Sequence, residues 1–242
     1  MRESTDRITS RYLGGEYFRE NPTWDSEDSP WKAQLVLRVL QANMILPHSI
    51  VDVGCGAGLV LGELRRSYPD AKLHGYDIAP DAQKFWPQFE LDGVQFHLGD
   101  FVTGDDSCFD LALVLDVLEH LVNPFEFLSK LRSRASWFVF HFPLDLSALS
   151  ILRESPLLRV RTKVGHIHFF TKGIALALLD DCGYEVVEAR YTGAALNAPN
   201  RTLKTRLAGL LRRFVYAVNR DLGARLLGGE TLIVLARPRG GA

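Results

Sequence analysis

Short apolar runs alternate with helix-period stretches along most of this chain. Residues 49–53 (SIVDV) are apolar and β-branched with no polar alternation, the pattern of a strand covered on both faces. Helical spacing follows over 59–67, then a second strand over 72–78 (KLHGYDI), a short helix in DAQKFWPQF broken by Pro87, and a third strand in VQFHLGD. Residues 109–117 (FDLALVLDV) are apolar enough for a central strand. Asn123-Pro124 caps the next helix, with Glu126 at the capping-box position. SWFVFHFP predicts strand five, Thr171 opens a helix that stops at Gly183, 184–191 (YEVVEARY) is strand six and 230–237 (ETLIVLAR) the last. Ahead of these, 12–30 is aromatic and polar and reads as an irregular arm. Ser29-Pro30 reads as N-cap and first residue of a helix over 31–43, with Leu35, Val39 and Trp31 on one face.

This alternation predicts an α/β fold, a doubly wound Rossmann-like sheet. Two segments interrupt it: 144–170, a long connection after strand five, and 199–228, a basic helical insertion before the last strand. Both fall at one end of the regular fold, where open α/β sheets bind ligands. A length of 242 residues suits one domain, and 47% hydrophobic residues suffice for its core. The net charge of −1 gives no reason to expect nucleic acid. No apolar run is long enough to span a bilayer, and the first twelve residues lack a secretory-type apolar stretch. Cys55, Cys108 and Cys182 have no metal-type spacing and read as reduced thiols of a cytoplasmic protein.

The candidate chemistry begins at VDVGCGAG, residues 51–58. Glycines directly after a strand let the backbone approach a ligand closely. A P-loop would need Gly-Lys-Ser/Thr, and a dinucleotide turn would want Gly or Ala where Leu59 stands. What remains is Asp52 followed by Gly54, Gly56 and Gly58, with the acid placed to meet a cation or amine. A second acid, Asp77, ends strand two, where a carboxylate can accept bonds from vicinal ribose hydroxyls. A third, Asp100, follows strand three beside Phe101 and could accept from an adenine amino group. One strand-end Asp is usually a turn former or cap; three in register point to a ligand.

VDVGCGAG, YDIAP, HLGDF and FDLALVLDVLEHLVNP together resemble the class I S-adenosylmethionine-dependent methyltransferases. The resemblance implies a seven-stranded sheet with the last strand antiparallel, and S-adenosyl-L-methionine as cofactor with S-adenosyl-L-homocysteine as product. It implies that Gly54, Gly56 and Gly58 line the methionine part, that Asp77 with Ile78 meets the ribose, that Asp100 and Phe101 meet the adenine, and that Asp52 orients the amine, with Asp116 also at the cofactor. The chain then divides into an arm and helix (1–48), a cofactor half (49–143) and a substrate half (144–242). Tyr12, Tyr17, Phe18 or Trp24 of the arm would cover the cofactor, although Trp24 and Trp31 serve equally well as packing anchors.

DVLEH resembles the E-x-x-E-H of the ubiquinone-biosynthesis O-methyltransferases, whose three residues are associated with a divalent metal. Asp116, Glu119 and His120 are therefore metal candidates, but a strand end opening into a helix explains them better, and no metal is expected. GHIHFFT (165–171) resembles the G-x-H segment of the same group. His166 is the favoured general base and His168 the second choice, while His141 reads as a satisfied strand histidine. In 201–220, Leu203, Leu207, Leu210, Leu211, Phe214 and Val218 share a face, and arginines supply charge. Such a helix packs on its own domain, meets a partner or acidic substrate, or makes peripheral contact with an anionic membrane. With the apolar-basic stretch 147–163, it raises a hydrophobic or lipid-linked acceptor as a hypothesis. The expectation is methylation of a small-molecule acceptor, at oxygen first and at nitrogen or carbon second, with a non-catalytic cofactor-binding protein as the rival. The sequence leaves the oligomeric state open.

Overall fold

A computed structural model describes residues 2–24, 26–90, 92–104, 106–194 and 215–240. Seven strands, β1 (Ser49–Val53), β2 (Lys72–Asp77), β3 (Val94–Leu98), β4 (Phe109–Leu115), β5 (Ala135–Leu144), β6 (Tyr184–Tyr191) and β7 (Glu230–Pro238), form one sheet. Their order is β3-β2-β1-β4-β5-β7-β6, with β7 antiparallel to both neighbours and the pairs from β3 to β5 parallel. The chain leaves β1 in one direction to build β2 and β3, then returns to β4 on its other side. That reversal opens a crevice at the carboxyl ends of β1 and β4.

Both faces of the sheet are covered, which explains the lack of polar alternation. In β4, Leu111 and Leu113 pack on one side with α3 (Ser29–Ala42) and α4 (Leu59–Ser67). Ala112 and Val114 pack on the other with α7 (Pro124–Leu131) and α10 (Lys172–Asp181). All four are fully buried. Phe138 and Phe140 of β5 lie 5.9 Å apart, and Tyr184 meets each edge-on at 5.0 and 5.3 Å. The Tyr184 hydroxyl donates to the Leu128 carbonyl at 2.9 Å, so its buried oxygen is satisfied.

Several boundaries differ from expectation. The arm is mostly helical, with α1 (Arg2–Leu13), α2 (Glu16–Glu20) and a 3₁₀ turn at Ser26–Asp28. Its amino-acid composition hid this, because among the side chains described over 8–24 and 26–28 only Tyr17 and Asn21 are buried, which leaves no apolar stripe. Helix α3 starts one residue early: Asp28 is the N-cap, without a side-chain capping bond, and Ser29-Pro30 are already helical. Asn123 caps α7 by accepting from the Glu126 backbone N–H at 3.1 Å. Glu126 does not return the bond to that backbone; it takes the Asn123 side-chain amide and Lys130. Between them lie α5 (Pro87–Glu90) and α6 (Phe101–Gly104).

The long connection after β5 holds α8 (Ala148–Arg153) and α9 (Ser155–Lys163). The 199–228 insertion is described only from residue 215, with a last helix, α11 (Arg220–Leu227), so the membrane expectation at 201–220 falls mostly outside the described residues. Within the described part, Val218 is 74% exposed and Tyr216 is the buried side chain, a correction to the predicted apolar face. Among the described residues no helix is long and apolar enough to cross a membrane. The three cysteines are free.

Phe140 lines neither cavity described below. Phe140→Ala should cost about 3–5 kcal/mol of unfolding free energy, and Phe140→Leu much less, in denaturant melts of the two variants.

Candidate active site

The glycine turn is built by its neighbours. Gly54 and Gly56 have φ of +77° and +52°, which favour glycine. A Cβ on Gly54 would lie 2.6 Å from Val117, and one on Gly56 2.5 Å from the Trp24 indole. The backbone N–H groups of Gly54 and Cys55 donate to the Tyr76 carbonyl at 2.8 and 3.0 Å. The Asp77 carboxylate accepts from the Gly56 N–H at 2.9 Å and the Ala79 N–H at 2.8 Å, joining the turns after β1 and β2. Burial raises the Asp77 pKa against the pull of these backbone bonds. Trp86 closes the other side, donating its indole N–H to the Gly56 carbonyl at 2.9 Å.

Two cavities meet here. The larger, about 550 Å³, is lined by Tyr12, Gly54, Asp77, Ile78, Asp100 and Phe101, among others. The smaller, about 290 Å³, is lined by Lys32, Asp52, Gly56, Glu119, His141 and His166, among others. Tyr17, Trp24, Gly54, Asp116 and His120 line both and form the junction. Every predicted cofactor residue except Gly58 thus borders a cavity. Gly58 instead caps α4, packed against Phe96. Asp100 also spends its oxygens on the Val102 N–H (3.0 Å) and the Thr103 hydroxyl (2.8 Å), so it is a helix cap as well as a cavity wall. Of the arm aromatics, Tyr12, Tyr17 and Trp24 line cavities, and Phe18 does not.

Asp52 is buried, and burial pushes its carboxyl up to about 7 against the pull of Lys32. Asp116 sits at φ +56° with both oxygens engaged: the His141 Nδ1–H at 2.6 Å and the Lys32 ammonium at 2.7 Å. Burial alone would raise its pKa, but His141 and Lys32 outweigh burial and hold it well below the carboxylate range. The other His141 nitrogen meets the Thr231 hydroxyl at 2.8 Å, which satisfies this strand histidine as expected.

The GHIHFFT segment is tied to the end of β4 through Glu119, whose carbonyl accepts the N–H groups of Ile167 (2.8 Å) and His168 (3.1 Å). This brings His166 into the smaller cavity beside Glu119 and His120. Asp145 accepts the His166 Nδ1–H at 2.6 Å, leaving Nε2 4.0 Å from a Glu119 oxygen. His120 Nδ1 meets the Tyr12 hydroxyl at 2.9 Å and the Gly165 carbonyl at 3.2 Å, and its Nε2 is 3.9 Å from the same oxygen. Burial, then the nearby His166, lower the His120 pKa to about 4. Glu119 is fully buried, and neither carboxyl oxygen has a hydrogen-bond partner. Burial, reinforced by Asp116, raises its pKa well above the usual range. His168 borders neither cavity; its Nε2 meets the Leu121 carbonyl at 2.8 Å.

Sequence reasoning missed Lys32 and Asp145. Asp145 had a usable signal, because it directly follows β5 as Asp77 ends β2. Lys32 had none, since a single lysine on an amphipathic helix is ordinary.

A doubly wound sheet with a glycine turn at its switch point and strand-end acids around two joined cavities defines an enzyme that binds a nucleoside-containing cofactor. The methyltransferase domain family matches residues 26–189, well over half the chain. The chain belongs to that family and is an S-adenosylmethionine-dependent methyltransferase. It is 47% identical over 34 residues to a malonyl-[acyl-carrier protein] O-methyltransferase of Hahella chejuensis, a match covering 14% of this chain and only 12% of that protein. Its fold is similar to the plantazolicin methyltransferase BpumL solved with S-adenosylhomocysteine (TM-score 0.62, 17% identity, 99% of each chain). It is also similar to the magnesium protoporphyrin IX methyltransferase of Synechocystis PCC 6803 (0.58, 18%, 87% of this chain and 83% of that one). The [4+2]-cyclase SpnF shares the fold as well (0.53, 15%, 80% and 75%), so the reaction must be argued from the site.

Asp52 sets a test in the cofactor-free protein. With its pKa raised to about 7, the folded chain holds a proton that the unfolded chain releases near pH 4, so stability falls as pH rises between those values. Asp52→Asn should therefore gain stability relative to wild type over this interval. The difference should reach roughly 2–4 kcal/mol near pH 7 and level off above it, as read from unfolding curves across pH.

Proposed function

We propose that this enzyme methylates an oxygen of a small-molecule acceptor, with His166 as the general base. The observation that carries the reading is the Asp145–His166 pair in the cavity that joins the cofactor cavity at Gly54 and Asp116. The larger cavity suits the adenosine of S-adenosyl-L-methionine, with Asp77 and Ile78 at the ribose and Asp100 and Phe101 at the adenine. Gly54 and Gly56 let the methionine approach the backbone at the junction, and Asp52 faces its amine. The acceptor enters the smaller cavity. The positive sulfur already activates the methyl carbon, so the protein's first task is to align the nucleophile with the carbon–sulfur bond. A hydroxyl must also lose its proton. The Asp145 carboxylate keeps the His166 proton on Nδ1, so the Nε2 lone pair takes up the acceptor's proton as the oxygen–carbon bond forms. The products are the methyl ether or ester and S-adenosyl-L-homocysteine.

The local match to an O-methyltransferase supports oxygen as the target. A hydrophobic or lipid-linked acceptor is supported by the surface of α8 and α9. There Ile151, Leu152 and Leu158 are 58%, 83% and 53% exposed among Arg153, Arg159 and Arg161.

Calorimetric titration should show micromolar binding of S-adenosyl-L-methionine and none of NADH. Asp77→Ala should weaken the former roughly 10- to 100-fold. Tight NADH binding would end the methyl-donor reading. With labelled donor and a panel of phenols, carboxylic acids and polyprenylated phenols, His166→Gln should keep donor affinity and lose roughly 10²- to 10⁴-fold in kcat. An unchanged kcat would remove His166 as the base.

A further inference from the structure

Glu119, His120 and His166 present one donor atom each, all within 4.8 Å of one another. Their arrangement is electrostatically odd. The His166 Nδ1–H is committed to Asp145, and the Gly165 carbonyl, which can only accept, favours the proton of His120 on Nδ1. Both Nε2 lone pairs then face the Glu119 carboxyl from 3.9 and 4.0 Å, too far for a hydrogen bond. The carboxyl is fully buried, and neither of its oxygens finds any donor. Three electron-rich atoms thus converge with nothing positive between them.

We propose that Glu119, His120 and His166 bind a divalent transition-metal ion of the zinc type at the acceptor cavity, and that Asp116 is not a ligand. Two imidazoles and one carboxylate form a known donor class for such ions and leave at least one position open. Tetrahedral ligands about 2.1 Å from a zinc ion are about 3.4 Å apart, so each Nε2 needs to approach the Glu119 oxygen by about half an ångström, and no donor pair, all lying within 4.8 Å, by more than about 1.4 Å. The supporting bonds are in place: Asp145 on His166, and the Gly165 carbonyl with the Tyr12 hydroxyl on His120. The set departs from the contiguous acid-x-x-acid-His motif. Asp116 has both oxygens bound by His141 and Lys32, and its place is taken by His166, 46 residues after His120 along the chain (166 − 120). With an ion bound, His166 Nε2 would be a ligand, and the ion as a Lewis acid would lower the pKa of an acceptor hydroxyl in the open position so that its proton is released to solvent water; in the ion-free protein Nε2 keeps the base role proposed above. The inference rests on the acceptor lying in this cavity, but its test does not depend on activity.

The full-length protein would be stripped with chelator, then titrated with zinc(II) by calorimetry and with cobalt(II) by visible spectroscopy. The expected result is one ion per chain at micromolar or tighter affinity, with cobalt d–d bands of low-coordinate N/O ligation. Glu119→Gln and His166→Gln should each weaken binding at least 100-fold. Asp145→Asn should weaken it roughly 10- to 100-fold, and Asp116→Asn less than about threefold. Thermal melts and S-adenosyl-L-methionine titration of each variant confirm that it is folded. Absence of stoichiometric binding by the folded wild type would overturn the proposal. So would undiminished binding by folded Glu119→Gln, or loss in Asp116→Asn as deep as in Glu119→Gln. If no ion binds while His166→Gln still loses methyl transfer, the metal falls and the base reading stands.

Discussion

The Asp77 carboxylate is the fastening on which the site depends. It accepts one backbone N–H from the glycine turn after β1 and one from the turn after β2. Without it, the positive-φ glycines would have no reason to hold the crevice open, because an unpaired turn next to a buried acid is costly in both groups. Asp77 also lines the larger cavity. One side chain therefore both joins the two turns and walls the larger cavity. Parallel strands make this economy possible, since their carboxyl ends all emerge at one edge.

A second fastening, made by the backbone, builds the other chamber. The Glu119 carbonyl holds two consecutive N–H groups of the segment that carries His166. Its own side chain then points at the histidines it has helped to place. Asp116, three residues earlier, has a different task. Its left-handed backbone and its grip on Lys32 and His141 link β4, β5 and α3 behind the glycine turn. Neighbouring acids in one short motif thus divide into a structural ion-pair partner and an unpartnered buried carboxyl. Their environments separate them, with charge stabilising one anion and burial disfavouring the other.

The sheet was readable because burial on both faces leaves a strong mark: Leu111, Ala112, Leu113 and Val114 can only be a covered strand. Gly54, Gly56 and Asp77 were readable as residues of turns at the crevice because such turns depend on local backbone geometry, whereas Gly58 caps α4 away from both cavities. What escaped depended on distance. Nothing in DVLEH shows that Lys32, far upstream on α3, will hold its first acid. GHIHFFT favours His166 over His168, and His166 does line the smaller cavity, but the segment does not show the distant groups that hold the two rings, Asp145 for His166 and the Leu121 carbonyl for His168. The arm misled for another reason. Three of its aromatic residues, Tyr12, Tyr17 and Trp24, line cavities shared with β-strand turns and form no stripe of their own.

The arm also ties the two chambers to each other. Arg11 reaches the carbonyls of Thr162 and Lys163 at the end of α9, and Tyr12, one residue on, touches His120 while walling the larger cavity. The end of helix α1 therefore walls the larger cavity and braces His120 at the smaller one at once. Displacing Tyr12 from the wall of the larger cavity would also break its hydrogen bond to His120. A single tyrosine thus couples the shape of one chamber to the placement of a histidine that walls the other.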